Sequence, residues 1–440
     1  MAQATPEPGI TRDFYDLLTG DEDARVCLDI PETACVEQPR NYFIHVASLV
    51  ASKTGDLLAS PKLVLSWLLT NIGAPAFMLG LLVPIRESLS LIPQLFVAGA
   101  MRRAPVRKWF WVAGSAVQGL AVAAMAAVAV TLSGSVAGWS IITLLVVFSL
   151  ARGVCSVAAK DVLGKTISKT RRGGVTGYAS SAAGAIAIGV GLFAFVLEPG
   201  EQDTAVFAAL LVLAGALWIV GAALFGRLAE YPGATEGGGN AITEAVRQLH
   251  LIRDDADLRQ FLFVRTLLLS TALVAPFYVS LASRETGGAI AQLGAMMIAS
   301  GAAGFVSAPV WGRMADRSSR RVMTVAALVA ALAGFATAGL ALLPAFPALH
   351  IAFAATYFLL NVAHEGVRLG RKTHLVDIAT PENRAGYVAV SNTFIGVMLL
   401  AGGAFGALAS VTGPAAVVVV LSAVSLAAAA AALRLDEAQR

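Results

Sequence analysis

No charged residue occurs between Arg384 and Arg434. Residues 286–312 and 322–349 are equally free of charge. About 20 apolar residues cross the hydrocarbon of a bilayer as a helix, so these runs read as membrane spans. Composition points the same way: 57% of the chain is hydrophobic and 14% charged, against about 25% charged in an ordinary soluble domain. The chain reads as an all-α integral membrane protein.

Twelve spans are expected. Six lie at about 42–71, 74–100, 109–132, 138–159, 175–197 and 204–226. Four follow at about 260–283, 288–311, 322–344 and 347–367, and the run after Arg384 makes two more, broken at Gly413-Pro414. The domains are then a tail (1–41), a six-helix half (42–227), a polar linker (228–259), a second half (260–434) and a short tail (435–440). Short amphipathic helices are expected at ITRDFYDLLTG (10–20) and, in the linker, at AITEAVRQLHLI (241–252).

Loop charge sets the orientation. Loops following even-numbered spans hold twenty-one Lys and Arg, and loops on the other face hold one, Arg284. Basic loops stay in the cytoplasm, so both termini are expected there, in a multi-pass protein of the plasma membrane, specifically a bacterial inner membrane. The first forty residues hold nine acidic and three basic side chains and do not read as a cleaved leader. The basic residues sit in short loops between apolar spans, so the net charge of +4 does not indicate nucleic acid. Cys27, Cys35 and Cys155 lack metal or disulfide spacing, and Cys27 and Cys35 are expected as free thiols.

Two loops repeat. WGRMADRSSRR (311–321) carries Gly312, Asp316, Arg317, Arg320 and Arg321. Shifted by 213 positions it meets AGAMRRAPVRKW (98–109), with Gly99 on Gly312, Arg107 on Arg320 and Lys108 on Arg321. RRGG (171–174) meets NRAG (383–386) at an offset of 212. Two loops repeating at nearly one offset argue for duplicated halves.

The spacing Gly312-x-x-x-Asp316-Arg317-x-x-Arg320-Arg321 resembles the loop signature of the major facilitator superfamily of transporters. The resemblance covers roughly residues 42–434 and implies twelve helices in two pseudo-symmetric six-helix halves. It implies that Gly312 lets two helices turn tightly, and that Asp316 and the arginines lock helix ends on the cytoplasmic side. Arg103 stands in the first copy where the second has Asp316, so the acidic lock is not repeated in sequence. Arg152 in LARGVCSVAA resembles the family's fourth-span arginine, which implies a link to proton movement.

Charges inside spans cost at least about 2.5–3.5 kcal/mol each and normally face partners or water. Lys53 and Asp56 lie three apart on one helix face and can pair. Arg86 and Glu87 fall near the middle of span 2 and have no counterpart in the second half, where Ala299 and Ser300 stand. With Arg152 and Arg265 these are the candidates for proton coupling or substrate binding. Four are basic and two acidic, which tilts toward an anionic or zwitterionic solute. His364, Glu365 and Arg368 in span 10 read as a secondary gate cluster.

No GxSxG, HExxH or Walker loop occurs, so an enzyme or ATP-driven pump is not expected, and neither is a cofactor or metal. The function implied is a secondary transporter, proton-coupled, moving a small solute by alternating access as a monomer in the lipid bilayer. A drug or metabolite efflux antiporter is the alternative, although the Gly-Pro step of the family's antiporter motif is missing from span 5. A non-transporting sensor or scaffold is the alternative of another class.

Overall fold

The computed structural model describes Tyr15 and residues 30–437, apart from 93, 95–96, 98–100, 102, 197–203, 234–250, 344–347 and 380–383. No strand occurs among the described residues. The first half comprises α1 (Glu32–Leu58, resuming as Val64–Asn71), α2 (Leu79–Leu91, led by a 3-10 turn at Ala76–Met78), α3 (Lys108–Thr131), α4 (Gly134–Thr166), α5 (Lys169–Val196) and α6 (Thr204–Gly226). The second comprises α7 (Ala256–Leu267, Ser270–Leu273 and Ala275–Glu285), α8 (Ile290–Ala315), α9 (Ser319–Leu340), α10 (Leu349–Asp377), α11 (Arg384–Gly402 and Ala404–Thr412) and α12 (Pro414–Ala432).

Nine spans among the described residues are long and apolar enough to cross a membrane. The other three segments, α1, α2 and α10, carry Lys53, Asp56, Arg86, Glu87, Glu365 and Arg368. The described helix of α2 is also short, at 13 residues. On the outer surface, Phe193, Phe305, Leu332, Ile351 and Val411 are at least 70% exposed. Trp109 and Trp139 are half exposed at opposite ends of the bundle, where amphipathic rings suit the two membrane–water boundaries.

Small residues set the packing within a half. A Cβ on Gly119 of α3 would lie 2.8 Å from the Gly215 carbonyl of α6. Without a hydrophobic drive between helices in lipid, such close backbone approach is what holds them. The halves meet along α2 and α11, α5 and α8, and α1 and α7. A Cβ on Gly80 would stand 2.4 Å from Gly406 Cα, and one on Gly294 2.6 Å from the Gly191 carbonyl. Ser88 Oγ donates to the Gly396 carbonyl at 2.8 Å, and Ser283 Oγ to Asn71 Oδ1 at 3.4 Å.

Several expectations change. Span 1 is not one helix from 42 to 71: it starts at Glu32 and breaks at 59–63. Pro61 has no N–H to give a helix ladder, and Leu65 N–H bonds the Ser60 carbonyl instead, at 3.0 Å. Span 4 runs to Thr166, beyond the expected 159. Cys35 is disulfide-bonded, not a free thiol, while Cys155 is free and buried. Cys27 and Gly99 lie outside the described residues. So does the expected helix at 10–20, Tyr15 excepted, and most of the linker helix, of which a turn at Leu251–Asp254 is described.

Candidate functional site: a charged seam between the halves

The break in α1 delivers Lys62 to the second half. Lys62 Nζ lies 2.8 Å from His364 Nε2 on α10, and Tyr357 O–H reaches the Lys62 carbonyl at 3.5 Å. The other imidazole nitrogen, Nδ1, lies 3.1 Å from Thr271 Oγ1. Thr271 sits in the short middle piece of α7, itself the broken first helix of the second half. An ammonium only donates, so Lys62 as ammonium makes Nε2 the acceptor and leaves the proton on Nδ1. Nδ1–H then donates to Thr271, whose O–H donates to the Leu268 carbonyl at 3.0 Å. Two broken helices, one from each half, thus converge on one imidazole. Interrupted helices expose backbone groups and side chains at membrane depth, where sites in repeat-built transporters form.

Glu87 is the carboxylate of this seam. Its side chain makes no hydrogen bond or ion pair with a described residue. The charges that act on it come from both halves: Lys62, then Arg86, Arg371 and Arg368. It is half-buried.

A second cluster lies inside the first half. Asp56 Oδ1 accepts from Arg86 at 2.9 Å and Oδ2 from Arg152 at 2.6 Å. Arg86 lies 5.1 Å from the Phe148 ring centre and Arg152 5.3 Å from that of Trp218. Gly55 leaves room for Trp218, whose Nε1 would be 2.8 Å from a Cβ there. The triad ties α1, α2 and α4 together over an aromatic floor. The expected Lys53–Asp56 pair does not form: both Asp56 oxygens are taken by guanidinium groups, and Lys53 Nζ donates to Ser180 Oγ on α5.

Arg265 is 7% exposed and sits on the first piece of α7. It donates to Ser391 Oγ, and to Asn392 Oδ1 at 3.2 Å, both on α11. Glu365 and Arg368 pair with each other at 2.8 Å on the exposed side of α10.

The repeated loops hold helix ends together, but not as the resemblance implies. Gly312 lies inside α8, and nothing stands within 4 Å of where its Cβ would be. The turn is made by the next residues, with Ser318 Oγ capping α9 by accepting the Arg321 N–H at 3.1 Å. Asp316, Arg317 and Arg321 are exposed, and Asp316 makes no ion pair with a described residue. Arg320 is the tied member, to Glu437 at 3.2 Å and the Leu435 carbonyl at 3.1 Å.

Its counterpart Arg107 is held the same way. Arg107 meets Asp161 at 2.5 Å, and the Arg107 and Lys108 N–H groups donate to Glu230 at 2.9 and 2.6 Å. Lys108 Nζ donates to the Gly226 and Leu228 carbonyls, and Lys165 adds pairs to Asp161 and Glu230. Glu230 therefore caps the N-terminus of α3, where a carboxylate suits the helix dipole. Arg103 is exposed and stands outside this network. An acid just after the last helix of each half, Glu230 or Glu437, does what Asp316 was expected to do.

Sequence reasoning missed Lys62, Arg371, Asp161, Glu230 and Glu437. Lys62 had a signal: a Ser-Pro-Lys step inside an otherwise apolar run. Asp161 had a local i,i+4 partner in Lys165, but its partner Arg107 lies 54 positions away and that of Glu230 123 positions away.

Residues 261–440 match the family model described as Major Facilitator Superfamily. The whole chain has the fold of solved transporters. It superposes on the nucleoside transporter NupG with a TM-score of 0.67 at 13% identity, covering 89% of this chain and 98% of that one. The inward-open xylose transporter XylE from E. coli gives 0.65 at 12%, covering 89% and 96%, and a D-xylose-proton symporter 0.66 at 13%, covering 90% and 99%. The sequence match to that superfamily is confined to residues 261–440. No curated protein matches it in sequence. At these identities the likeness to solved structures establishes the fold and not the substrate.

Proposed function

We propose that this chain is a secondary transporter that moves a small solute by alternating access and couples it to protons through Glu87. The observation that carries the reading is the seam itself. Lys62 and His364 join the halves by a single hydrogen bond, beside a carboxylate with no partner among the described residues. A scaffold has no use for a half-buried, unpaired carboxylate at membrane depth, where it is costly. A transporter does: it can take a proton or a solute group there as the halves rock.

Asp56 is the weaker proton site, because a proton can reach neither oxygen without displacing Arg86 or Arg152. Arg152 positions Asp56 in this reading. The ties at Arg107 and Arg320 hold the basic-loop ends of the two halves as rigid units. That end faces the cytoplasm of a bacterial inner membrane by the loop-charge argument. The halves are 42–227 and 260–434, working as a monomer.

The test is Glu87→Gln in proteoliposomes under an imposed pH gradient. Gradient-driven flux is lost while the thermal unfolding of the purified protein is kept. Flux unchanged from the parent removes Glu87 from the mechanism, and no flux of any compound across a broad solute panel favours the scaffold.

A further inference from the structure

Arg265 and Arg371 are two cations that form no ion pair with a described residue. Arg265 is buried on α7, and its partners among the described residues are the neutral side chains of Ser391 and Asn392. Its Nε is buried with no hydrogen-bond partner. The charge that acts on it is that of another cation, Arg371 of α10. Arg371 is half-buried and makes no hydrogen bond or ion pair with a described residue. The acids that act on it are Glu87, across the seam, and Glu365, which Arg368 already holds at 2.8 Å.

A buried guanidinium normally has a carboxylate partner, since removing one partner of a buried pair leaves a costly bare charge. Two such groups close enough to act on each other add repulsion to that cost. Both sit toward the basic-loop end of the second half, Arg265 nine positions from the start of α7 and Arg371 six from the end of α10. They stand below the His364 junction, which lies about two turns further along α10. The forked, permanently charged guanidinium suits planar carboxylate and tetrahedral phosphate oxygens.

We infer that Arg265, held by Ser391 and Asn392 of α11, and Arg371 are a binding site for the anionic group of the transported solute, a carboxylate or phosphate carrying two negative charges. Glu87 competes with this anion for Arg371 from the opposite half. The solute is then a small organic dianion, and the site is the vestibule through which it enters or leaves the seam. This deepens the transport reading, and the two fail separately because binding is measured without flux.

The experiment is binding to the purified full chain in detergent, by thermal shift and calorimetry, at fixed ionic strength. The probes are succinate, a sugar phosphate, inorganic phosphate, acetate, xylose and uridine. Succinate or the sugar phosphate binds, acetate binds at least about tenfold more weakly, and the neutral solutes do not bind. Arg371→Gln and Arg265→Gln each weaken the dianion by about tenfold or more, the loss of one charge-assisted contact. Lys372→Gln, which removes an exposed charge beside Arg371, changes nothing. Succinate against the sugar phosphate separates the carboxylate from the phosphate source, and inorganic phosphate alone tests whether an organic body is required.

The charge series on the unaltered protein tests the site even if a variant fails to fold. Binding of xylose or uridine in preference to every dianion overturns the inference. So does dianion affinity unchanged in both arginine variants, or no binding by any dianion. Arginine-dependent binding without flux would keep this site and sink the transport reading. Flux of a neutral solute, unaffected by Arg371→Gln, would do the opposite.

Discussion

Lys62 Nζ lies 2.8 Å from His364 Nε2 although 302 positions separate them in the chain. The contact exists because α1 breaks at Pro61 and turns its lysine out of the helix toward α10. The same imidazole is held from the far side by Thr271, in the break of α7. Corresponding helices of the two halves are therefore interrupted at corresponding places, and both interruptions serve one residue of the second half.

Replacing Lys62 with Met removes the hydrogen bond across the seam and leaves His364 Nε2 without its donor. Spin labels on α1 and α10 should show a broader distance distribution between the halves than in the parent. Thermal unfolding should fall by the equivalent of about 1–3 kcal/mol, the cost of an unsatisfied buried group. An unchanged distribution would mean that Lys62 does not fasten the halves.

Asp56→Asn leaves Arg86 and Arg152 facing each other with no anion between them. Breaking a largely buried pair in this way costs about 3–5 kcal/mol, so the variant should unfold well below the parent in a detergent melt. Lys53→Ala loses one hydrogen bond to the exposed Ser180 and should melt within about 1 kcal/mol of the parent. Equal effects of the two would reinstate the Lys53–Asp56 pairing that the three-residue helix spacing suggests.

Two glycines of the second half should respond in opposite directions. A side chain on Gly406 would meet the Phe77 carbonyl at 2.1 Å, so Gly406→Val must push α11 from the start of α2. Cysteine labelling along that interface should rise sharply. Gly312→Ala meets nothing within 4 Å and lies inside α8, so it should stabilise by about 0.5–1 kcal/mol through its better helix propensity. A collapse of stability or expression in Gly312→Ala would restore the tight-turn role implied by the loop signature.

Asp255 caps α7 outside the membrane span, accepting the Leu258 N–H at 2.9 Å and the Tyr387 O–H. Burial pushes its carboxyl up, but these hydrogen bonds and the charge of Arg259 outweigh it and hold the folded value below the ordinary one. A lowered folded value means that the stabilisation is fully present above the unfolded value, about 3.9, and is lost as pH falls through the lower folded value. Melting temperature followed from pH 6 down to about 3 should drop more steeply in the parent than in Asp255→Ala, which starts about 1 kcal/mol lower. Parallel curves would show that this carboxylate does not contribute through its charge.

The membrane class and the helical content were legible from charge alone, because hydrocarbon excludes charge and the gaps between charges are therefore the spans, while the paired halves were legible from two loops that repeat at nearly one offset. The candidate residues were legible for the same reason: Asp56, Arg86, Glu87, Arg152 and Arg265 stood out as charges in apolar runs. Their partners were not. Asp56 could have paired with Lys53 one turn away, and only the packing of α1 against α2 and α4 brought two guanidinium groups closer. Lys62 was visible in the chain yet silent until the helix broke, and Arg371 read as a loop charge until α10 ran past it. Glu230 and Glu437 took over the role expected of Asp316 because the ends of α6 and α12 bring them to Arg107 and Arg320. Burial along one helix is written locally, in the spacing of apolar and charged side chains. Which charge meets which is decided between helices, by contacts that no local pattern encodes.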